Sequence, residues 1–388
     1  MPNVIEGYRL TRFAFPRDRV IGDSQVRFDM MYVAALELTS TRGHTGTGFF
    51  FSNFHPLPNL QELNRLFETE IKANFIGQSP HVLTTRVSRP RGGNIRELAY
   101  GIGEAIDQAA WDLNAQELGM PLYRLLGATS NRVRAYASGL DYHLSDEDCA
   151  FYFEQAAQMG FGAFKVKVGH PDLDWDIQRL RLVRKVVGHR PPLMVDANEA
   201  WSPGEAIRRL HAYHAAGIEI LWVEDPCLRY DFDGLREVAR AVPFTLLNTG
   251  EYLGLRDKRR LIESGAVGIL NIHGHITDGL RAAWLAHEHG IQVSLGNTSF
   301  EMGVHLAAAL PGDTWMEYSF PNYNVLLEQP VAFENGYALA PDAPGHGLRL
   351  SEQARAQYAQ PEIQDLSGMA PPPSLIHWPK AAARPGEK

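Results

Sequence analysis

A chain of 388 residues exceeds the usual size of one hydrophobic core, which predicts a large domain with a smaller one beside it. With 45% hydrophobic and 21% charged residues, the composition is that of a globular protein, and the net charge of -8 argues against nucleic acid as a partner. The two cysteines, Cys149 and Cys227, lie far apart and fit no metal-binding spacing, so neither a disulfide framework nor a structural zinc site is indicated.

The N-terminal segment, MPNVIEGYRLTRF, is too polar for a signal peptide, and no apolar run reaches membrane-spanning length. We therefore expect a cytoplasmic protein with no membrane partner. The tail after residue 366 is rich in proline and has no periodicity, so we expect it to be irregular on the surface or partly disordered.

The first 130 residues predict an α+β domain. Three β-rich stretches, at 4–15, 28–40 and 45–51, indicate an antiparallel meander. The polar segment PRDRVIGDSQVR, which separates the first two stretches, is expected to be a loop. Helical stretches follow at about 57–76 and 94–117.

From residue 133 onward, short β-rich runs alternate with helical periodicity, and the runs begin 23–30 residues apart. A capping box, Ser202-Pro203-Gly204-Glu205, opens one of the helices. Eight such units favour a closed (β/α)₈-type barrel over an open doubly wound sheet, and no dinucleotide fingerprint G-x-G-x-x-G follows any run. The runs are 133–138, 163–168, 192–197, 218–225, 244–251, 267–273, 291–297 and 314–319.

Three consecutive runs end in an acid: Asp196, Glu224 and Glu251. The C-terminal ends of parallel barrel strands share one rim, so these carboxylates would converge and repel one another. A bound Mg²⁺ would resolve the repulsion, because hard cations prefer oxygen ligands. For any single acid, capping of the following helix is an equally good explanation. Asn198 points the same way and is expected either to bind substrate or to serve as a turn residue.

The second run, AFKVKVGH, carries Lys165 and Lys167 on the same side of a strand. Both lysines could be solvated at a strand end, buried along their stems, or paired with the acids. Alternatively, the charge of Lys165 lowers the pKa of Lys167, so that a fraction of Lys167 is neutral. A neutral lysine beside Mg²⁺ can remove the proton α to a carboxylate, and the metal then stabilises the enediolate.

The stretches KVK, VDANEAW, WVEDP and TGEYLG resemble those of the enolase superfamily, mandelate racemase subgroup. The resemblance extends from about residue 4 to 350 through the segments at 102–127, 305–311 and 340–348. It implies an α/β fold in which an N-terminal α+β capping domain covers a modified TIM barrel, (β/α)₇β. The implied capping domain spans 1–130 and is completed by a C-terminal segment at about 350–388, and the implied barrel spans 131–349.

The resemblance also implies roles for individual residues, following the lysine-base chemistry general to the superfamily. Glu317 in TWMEY would hydrogen-bond the substrate carboxylate, and a loop at about 15–27 would close over the substrate. It implies that the substrate is a small-molecule carboxylate. It also implies a homo-oligomer, either a dimer or an octamer. The remaining implied roles are Lys167 as base, Lys165 as modulator of its pKa, and Asp196, Glu224 and Glu251 as Mg²⁺ ligands.

The sequence departs from the subgroup on the other side of the barrel. Mandelate racemase-like enzymes carry a histidine after the seventh strand and an aspartate after the sixth, and here these positions fall at Asn297 and nearest Asn271. The sixth-strand lysine of muconate cycloisomerases is absent as well. With one clear base, the sequence favours β-elimination of water from an acid sugar, an aldonate or aldarate, in which Lys167 serves as base and then as acid.

Further candidate residues are expected near the sixth and seventh strands, where the sequence differs from the subgroup. His273 and His275, at the end of the sixth run, are either a replacement acid or hydrogen-bonded residues behind the site. Asn297 and Asn271 are expected to bind substrate hydroxyls, because amides do not titrate. The alternatives to a dehydratase are a racemase or epimerase of an α-substituted carboxylate and an inactive metal-binding homologue. Tyr142 and His143, after the first run, are weaker candidates for the replacement acid or for binding substrate hydroxyls.

Overall fold

The computed structural model describes residues 3–52, 55–83, 101–273, 276–296, 299–310, 312, 314–366 and 368–378. The chain begins with an antiparallel sheet of three strands in the described part of this region: β1 (Ile5–Gly22), β2 (Arg27–Ser40) and β3 (Thr45–Ser52). The loop expected at 16–27 is wrong over most of its length, because β1 continues to Gly22 and leaves a short turn. Its register shifts between Pro16 and Ile21, where proline offers no N–H to the ladder.

Helices cover one face of this sheet. The first, α1 (Leu60–Leu66), passes through a π-helical turn (Phe67–Ile71) into Lys72–Phe75. The second, α2, spans Ile102–Glu117; the expected start of this helix, 94–100, lies outside the described residues. A short α3 (Leu122–Leu125) leads to the barrel.

The contact between α2 and β3 depends on two glycines of the strand. A Cβ at Gly48 would lie 1.9 Å from the Ala105 carbonyl oxygen, and one at Gly46 would lie 2.1 Å from that of Ala109. The helix backbone therefore rests directly on the strand backbone at these two points. This close approach fixes the height of α2 above the sheet.

Eight parallel strands in the described residues close into a barrel, because the last of them pairs with the first. The strands are β4 (Arg132–Ser138), β5 (Phe164–Lys167), β6 (Leu193–Asp196), β7 (Trp222–Glu224), β8 (Leu246–Thr249), β9 (Ile269–Ile272), β10 (Gln292–Leu295) and β11 (Trp315–Tyr318).

Seven described helices connect these strands, and no barrel helix follows β11 within the described ranges, so the (β/α)₇β fold is confirmed. The capping box is confirmed too, since the Glu205 N–H donates to Ser202 Oγ at 3.3 Å. The connecting helices are α4 (Asp146–Gln158), α5 (Leu173–Val187), α6 (Pro203–Ala215), α7 (Phe232–Ala241), α8 (Leu255–Glu263), α9 (Ile276–Glu288) and α10 (Gly303–Ala309).

The chain after the barrel returns to the N-terminal sheet. A hairpin that the sequence did not predict, β12 (Ala332–Glu334) and β13 (Tyr337–Leu339), adds to β4. The helix α11 (Glu352–Tyr358) lies on β1, where Arg355 donates to Thr11 Oγ1 and to Glu37 Oε1. Residues 368–378 form no helix or strand. The division into domains at 1–130 and 131–349 stays a prediction.

The barrel interior is layered, apolar below and polar above. Strand alternation explains the layers, because each large apolar residue is followed two positions later by a polar one on the same face. The interior is therefore dry at its base and charged at the C-terminal rim. The pairs are Tyr136 and Ser138, Met194 and Asp196, Trp222 and Glu224, Ile269 and Asn271, and Trp315 and Glu317. Among the described residues no helix is both long and apolar enough to cross a bilayer.

Candidate active site

A cavity of about 840 Å³ lies where the C-terminal ends of the barrel strands face the N-terminal sheet. Its upper wall is formed by β1, by the turn between β1 and β2, and by the start of α2. The volume is in the range of sites that enclose small molecules. The predicted site residues among those that line it are Lys165, Lys167, Asp196, Asn198, Glu224, Glu251, His273 and Glu317.

Lys165 is the more firmly held of the two lysines. It is 1% exposed, and its Nζ lies 2.8 Å from Glu224 Oε1 and 3.1 Å from Glu317 Oε1. Asp196 Oδ2 is 3.4 Å away. Burial acts to lower the pKa of Lys165, but the surrounding carboxylates outweigh burial and raise the pKa well above its usual value. Lys165 is therefore a fixed positive charge at the floor of the cavity.

Lys167 is also buried and lies nearer the rim. Its Nζ is 2.6 Å from Asp196 Oδ2 and 2.6 Å from Asn198 Oδ1. The expectation that Lys165 leaves Lys167 partly neutral is wrong for this arrangement. Burial and Lys165 both act to lower the pKa of Lys167, but Asp196 outweighs them, so that this pKa is raised. A neutral Lys167 therefore requires that Asp196 be engaged by another cation.

The three strand-end acids all line the cavity, and all of them are buried or nearly so. Their role as metal ligands stays a prediction. Asp196 and Glu224 are direct neighbours across β6 and β7, and Glu251 follows β8. Burial raises the pKa of Glu251 to about 7 and raises that of Glu224 well above its usual range, with neighbouring carboxylates adding to the effect. For Asp196, burial is outweighed by Lys167 and Lys165, which hold its pKa below the usual value.

The acids fit a hard divalent cation by their chemistry. Within the described residues no three His, Cys, Asp or Glu side chains are gathered closely enough to hold a metal ion, because lysine ammonium groups lie between the carboxylates. Glu224 Oε2 is nevertheless buried without a hydrogen-bond partner among those residues. The buried acids also outnumber the two lysines, and this uncompensated charge calls for a cation or for protons.

Two of the predicted amides belong to the described residues, Asn198 after β6 and Asn271 in β9. Asn198 has a left-handed backbone (φ 45°), and its carbonyl accepts from Gln25 Nε2 of the β1–β2 turn at 2.5 Å. It therefore ties the turn to the rim besides contacting Lys167. Asn271 is fully buried below the cavity and donates to Glu224 Oε1 at 3.2 Å, so it orients that carboxylate. Asn271 is not among the residues that line the cavity.

Of the remaining predicted residues, only His273 is found in the wall of the cavity among the described residues. His273 lines the cavity at the end of β9, with Nδ1 3.7 Å from Glu251 Oε1. His275 and Asn297 lie outside the described residues. Tyr142 and His143 are not part of the cavity wall: His143 Nε2 is 2.8 Å from the Val26 carbonyl, which holds the β1–β2 turn against the barrel.

Glu104 and Arg17 are two of the lining residues that were not named from the sequence. Glu104, in the first turn of α2, is buried and faces the cavity. Its signal was the set of polar residues at 104, 107 and 108, at helical spacing in the first half of α2, where the other residues are glycine, alanine and isoleucine. Arg17, on β1, presents a buried guanidinium to the same cavity. Burial is the main cause that lowers its pKa, to about 10, with Arg19 adding to it.

The comparisons with known proteins agree with this geometry. The family model described as enolase C-terminal domain-like matches residues 150–354. A crystal structure from Mesorhizobium loti, assigned provisionally as a mandelate racemase, is 49% identical with a TM-score of 0.92, and the match covers 96% of this chain and 99% of that one. The chain therefore belongs to the enolase superfamily, in its mandelate racemase subgroup.

Relatives of known activity differ in the reaction they catalyse. The L-talarate/galactarate dehydratase of Salmonella typhimurium is 30% identical over 87% of this chain and 85% of its own. Its crystal structure with Mg and L-lyxarohydroxamate has a TM-score of 0.82 and 28% identity, covering 92% of this chain and 93% of that one. An L-Ala-D/L-Glu epimerase of Clostridium acetobutylicum is 31% identical over 63% of this chain and 70% of its own.

Proposed function

We propose that this protein is a Mg²⁺-dependent dehydratase of acid sugars, which removes the proton α to a carboxylate and eliminates water. The observation that carries the proposal is the placement of Lys167 at the rim of the cavity, in contact with Asp196 and in the same cavity wall as Glu224 and Glu251. A base next to a cation site is the arrangement that acidifies the α-proton of a carboxylate. The membership in the superfamily supports this class of chemistry.

The proposed roles follow from the contacts. Asp196, Glu224 and Glu251 would hold Mg²⁺, which when bound supplies positive charge against the negative charge that develops on the substrate carboxylate. Lys165 stays charged and adds to that stabilisation from below, because its partners hold it in place. Lys167 takes the α-proton.

Glu317 is proposed to orient the substrate carboxylate. It lies at the end of β11, lines the cavity and has its Oε1 3.1 Å from Lys165 Nζ. The contact with Lys165, which Glu317 shares with Glu224, holds the Glu317 carboxyl in one orientation. Asn198 and Asn297 are proposed to bind substrate hydroxyls.

Dehydration is favoured over racemisation by the relatives and by the cavity. The talarate/galactarate dehydratase matches more of this chain than the epimerase does. The cavity wall also carries polar groups at both ends, from Lys167 to Arg17, which suits a polyhydroxy acid better than a compact α-substituted acid. An epimerase is the second candidate, favoured by His273 across the barrel. A homo-oligomer, dimer or octamer, stays part of the proposal.

The test is a screen of the purified protein with Mg²⁺ over galactarate, L-talarate, arabinonate and their stereoisomers, with the 2-keto product followed by NMR. We expect at least one acid sugar to be dehydrated. Lys167→Ala should abolish turnover while Mn²⁺, used as a paramagnetic probe of the metal site, still binds. Lys185→Ala, which removes an exposed lysine of α5, is the matched control and should be fully active. Absence of 2-keto product from every acid sugar, in protein that binds metal, would contradict the proposal.

A further inference from the structure

The region opposite Lys167 can be located from the barrel alone. Lys167 belongs to the second of eight strands in the closed described barrel, so the sixth strand, β9, is diametrically across. The residue that follows β9 and lines the cavity is His273. A group that acts on the substrate from the side facing Lys167 has to lie near this point.

The helix α2 is fastened to the same point. Asp107 accepts from the Thr277 N–H at 3.0 Å and from Thr277 Oγ1 at 2.5 Å, and thereby caps the first turn of α9. Trp111, one turn further along α2, donates from Nε1 to Thr277 Oγ1 at 2.9 Å. Because α9 directly follows β9, these bonds hold the start of α2 against the end of the sixth strand.

Glu104 is carried to this place by the helix. It lies on the same face of α2 as Asp107, three residues earlier. Gln108 Nε2 donates to Glu104 Oε1 at 2.9 Å, and Gln108 Oε1 in turn accepts from the Phe49 N–H at 2.8 Å. One carboxyl oxygen is thus fixed by an amide that β3 holds in place, and the residue lines the cavity.

The surroundings of Glu104 favour a proton carrier. Burial raises the pKa of Glu104, and the nearby His273 acts in the opposite direction without cancelling the effect. Glu104 is a glutamate of the N-terminal α+β region rather than a residue of the barrel rim. It is also separate from the acids to which a metal is assigned.

We infer that Glu104 is a further catalytic residue, the proton carrier on the side of the substrate opposite Lys167. The inference rests on the proposed dehydration. Lys167 takes the α-proton, the electron pair of that C–H bond forms the new C=C bond, and the C–O bond at the β-carbon breaks. The proton of the Glu104 carboxyl joins the departing hydroxide, which leaves as water. The enol product then becomes the 2-keto acid by protonation at carbon and loss of the enol O–H proton.

Glu104→Gln tests the assignment, since an amide of the same shape keeps the bond to Gln108 and cannot donate an acidic proton. With galactarate, or with another acid sugar that the wild-type protein dehydrates, we expect kcat to fall by about 10²–10⁴. The 3-deoxy-3-fluoro analogue of that acid sugar provides the discriminating measurement. Fluoride leaves without a proton, so Glu104→Gln should release it at close to the wild-type rate.

Three results would overturn the inference. They are dehydration by Glu104→Gln at the wild-type rate, equal losses of water and fluoride elimination, and a Glu104→Asp variant no more active than Glu104→Gln. The aspartate variant retains an acidic proton, so it should recover part of the rate, whereas a purely structural role gives no such recovery. Thermal melts of each variant control for folding.

A different set of results would refute the proposed dehydration rather than the role of Glu104. If the wild-type protein makes no 2-keto acid from any acid sugar but inverts the α-carbon of a carboxylate with uptake of deuterium, dehydration is refuted. Glu104 then carries the proton of the second face, and Glu104→Gln should exchange the α-proton through Lys167 without inversion. Inversion by Glu104→Gln at the wild-type rate would overturn the inference in that case as well.

Discussion

Glu301 offers a prediction whose sign and size follow from its burial. It lies after β10 in a left-handed backbone conformation (φ 56°) and is 3% exposed. Tyr323 OH donates to its Oε1 at 3.5 Å, and Oε2 has no hydrogen-bond partner among the described residues. Burial raises the pKa of Glu301 to about 8. The perturbation is Glu301→Gln, which keeps the shape and removes the titration.

The folded protein therefore keeps a proton on Glu301 that the unfolded chain releases above its ordinary pKa of 4.5. Because the folded pKa is the higher one, this contribution to stability is complete below pH 4.5 and is lost as the pH rises through about 8. Each pKa unit corresponds to about 1.4 kcal/mol, so the full shift sets an upper bound of about 5 kcal/mol. Relaxation of the folded protein around a charged Glu301, with entry of water, lowers this bound. We therefore expect Glu301 to change the free energy of unfolding by about 2–4 kcal/mol.

The assay is thermal or urea unfolding of wild type and Glu301→Gln between pH 5 and pH 8. Other buried acids, such as Asp107 and Asp225, also change stability with pH, and the difference between the two proteins removes their contribution. An unfolding entropy of about 2 cal/mol/K per residue makes each kcal/mol worth about 1 °C in a chain of 388 residues. The melting temperature of Glu301→Gln, relative to that of the wild type, should rise by about 2–4 °C as the pH increases over this range. A constant difference at every pH would refute the reasoning.

Three further predictions address the helix contact, the substrate and the metal. Gly48→Ala should destabilise the protein by at least about 2 kcal/mol in urea unfolding, because the new Cβ meets the Ala105 carbonyl, while Gly7→Ala, with nothing within 4 Å, should be near neutral. Arg17→Met should raise KM for aldarates by about 10–100-fold but change KM for aldonates little, as measured in parallel steady-state assays, since its buried guanidinium faces the cavity and suits a second carboxylate. Removal of divalent metal with EDTA should abolish turnover, and added Mg²⁺ should restore it; turnover in metal-free protein would count against the site.

The barrel could be predicted from the sequence because its signals are local and repeated. A β-rich run recurs eight times, a described helix lies in each of the seven connections between the runs, and the strands share one C-terminal rim. The strand β1 could not be predicted in full, because its extension to Gly22 depends on pairing with β2 across a proline. The hairpin of β12 and β13 was missed for the same reason, since its strands are three residues long and acquire their pairing from β4.

The residues of the candidate site also fall into those that could be predicted from the sequence and those that could not. Asp196, Glu224 and Lys167 belong to strand ends, where period-two alternation fixes their direction, and all three line the cavity. Glu104 and Arg17 come from a different part of the chain, and their presence in the cavity depends on how α2 and β1 are placed over the barrel. Sequence periodicity describes each element by itself and does not specify such placements.

The two lysines of AFKVKVGH acquire different roles from their contacts rather than from their spacing. Lys165 has carboxylates within 3.4 Å on three strands, so removing its proton would leave Glu224 and Glu317 without a cation. Among the described residues, the Nζ of Lys167 donates to one carboxylate, Asp196, and to one neutral amide, Asn198. A cation that engages Asp196 would take away the interaction that keeps Lys167 protonated while leaving those of Lys165 largely in place. The lysine nearer the rim is therefore the one that can become a base, and Lys165 is the one that has to stay charged.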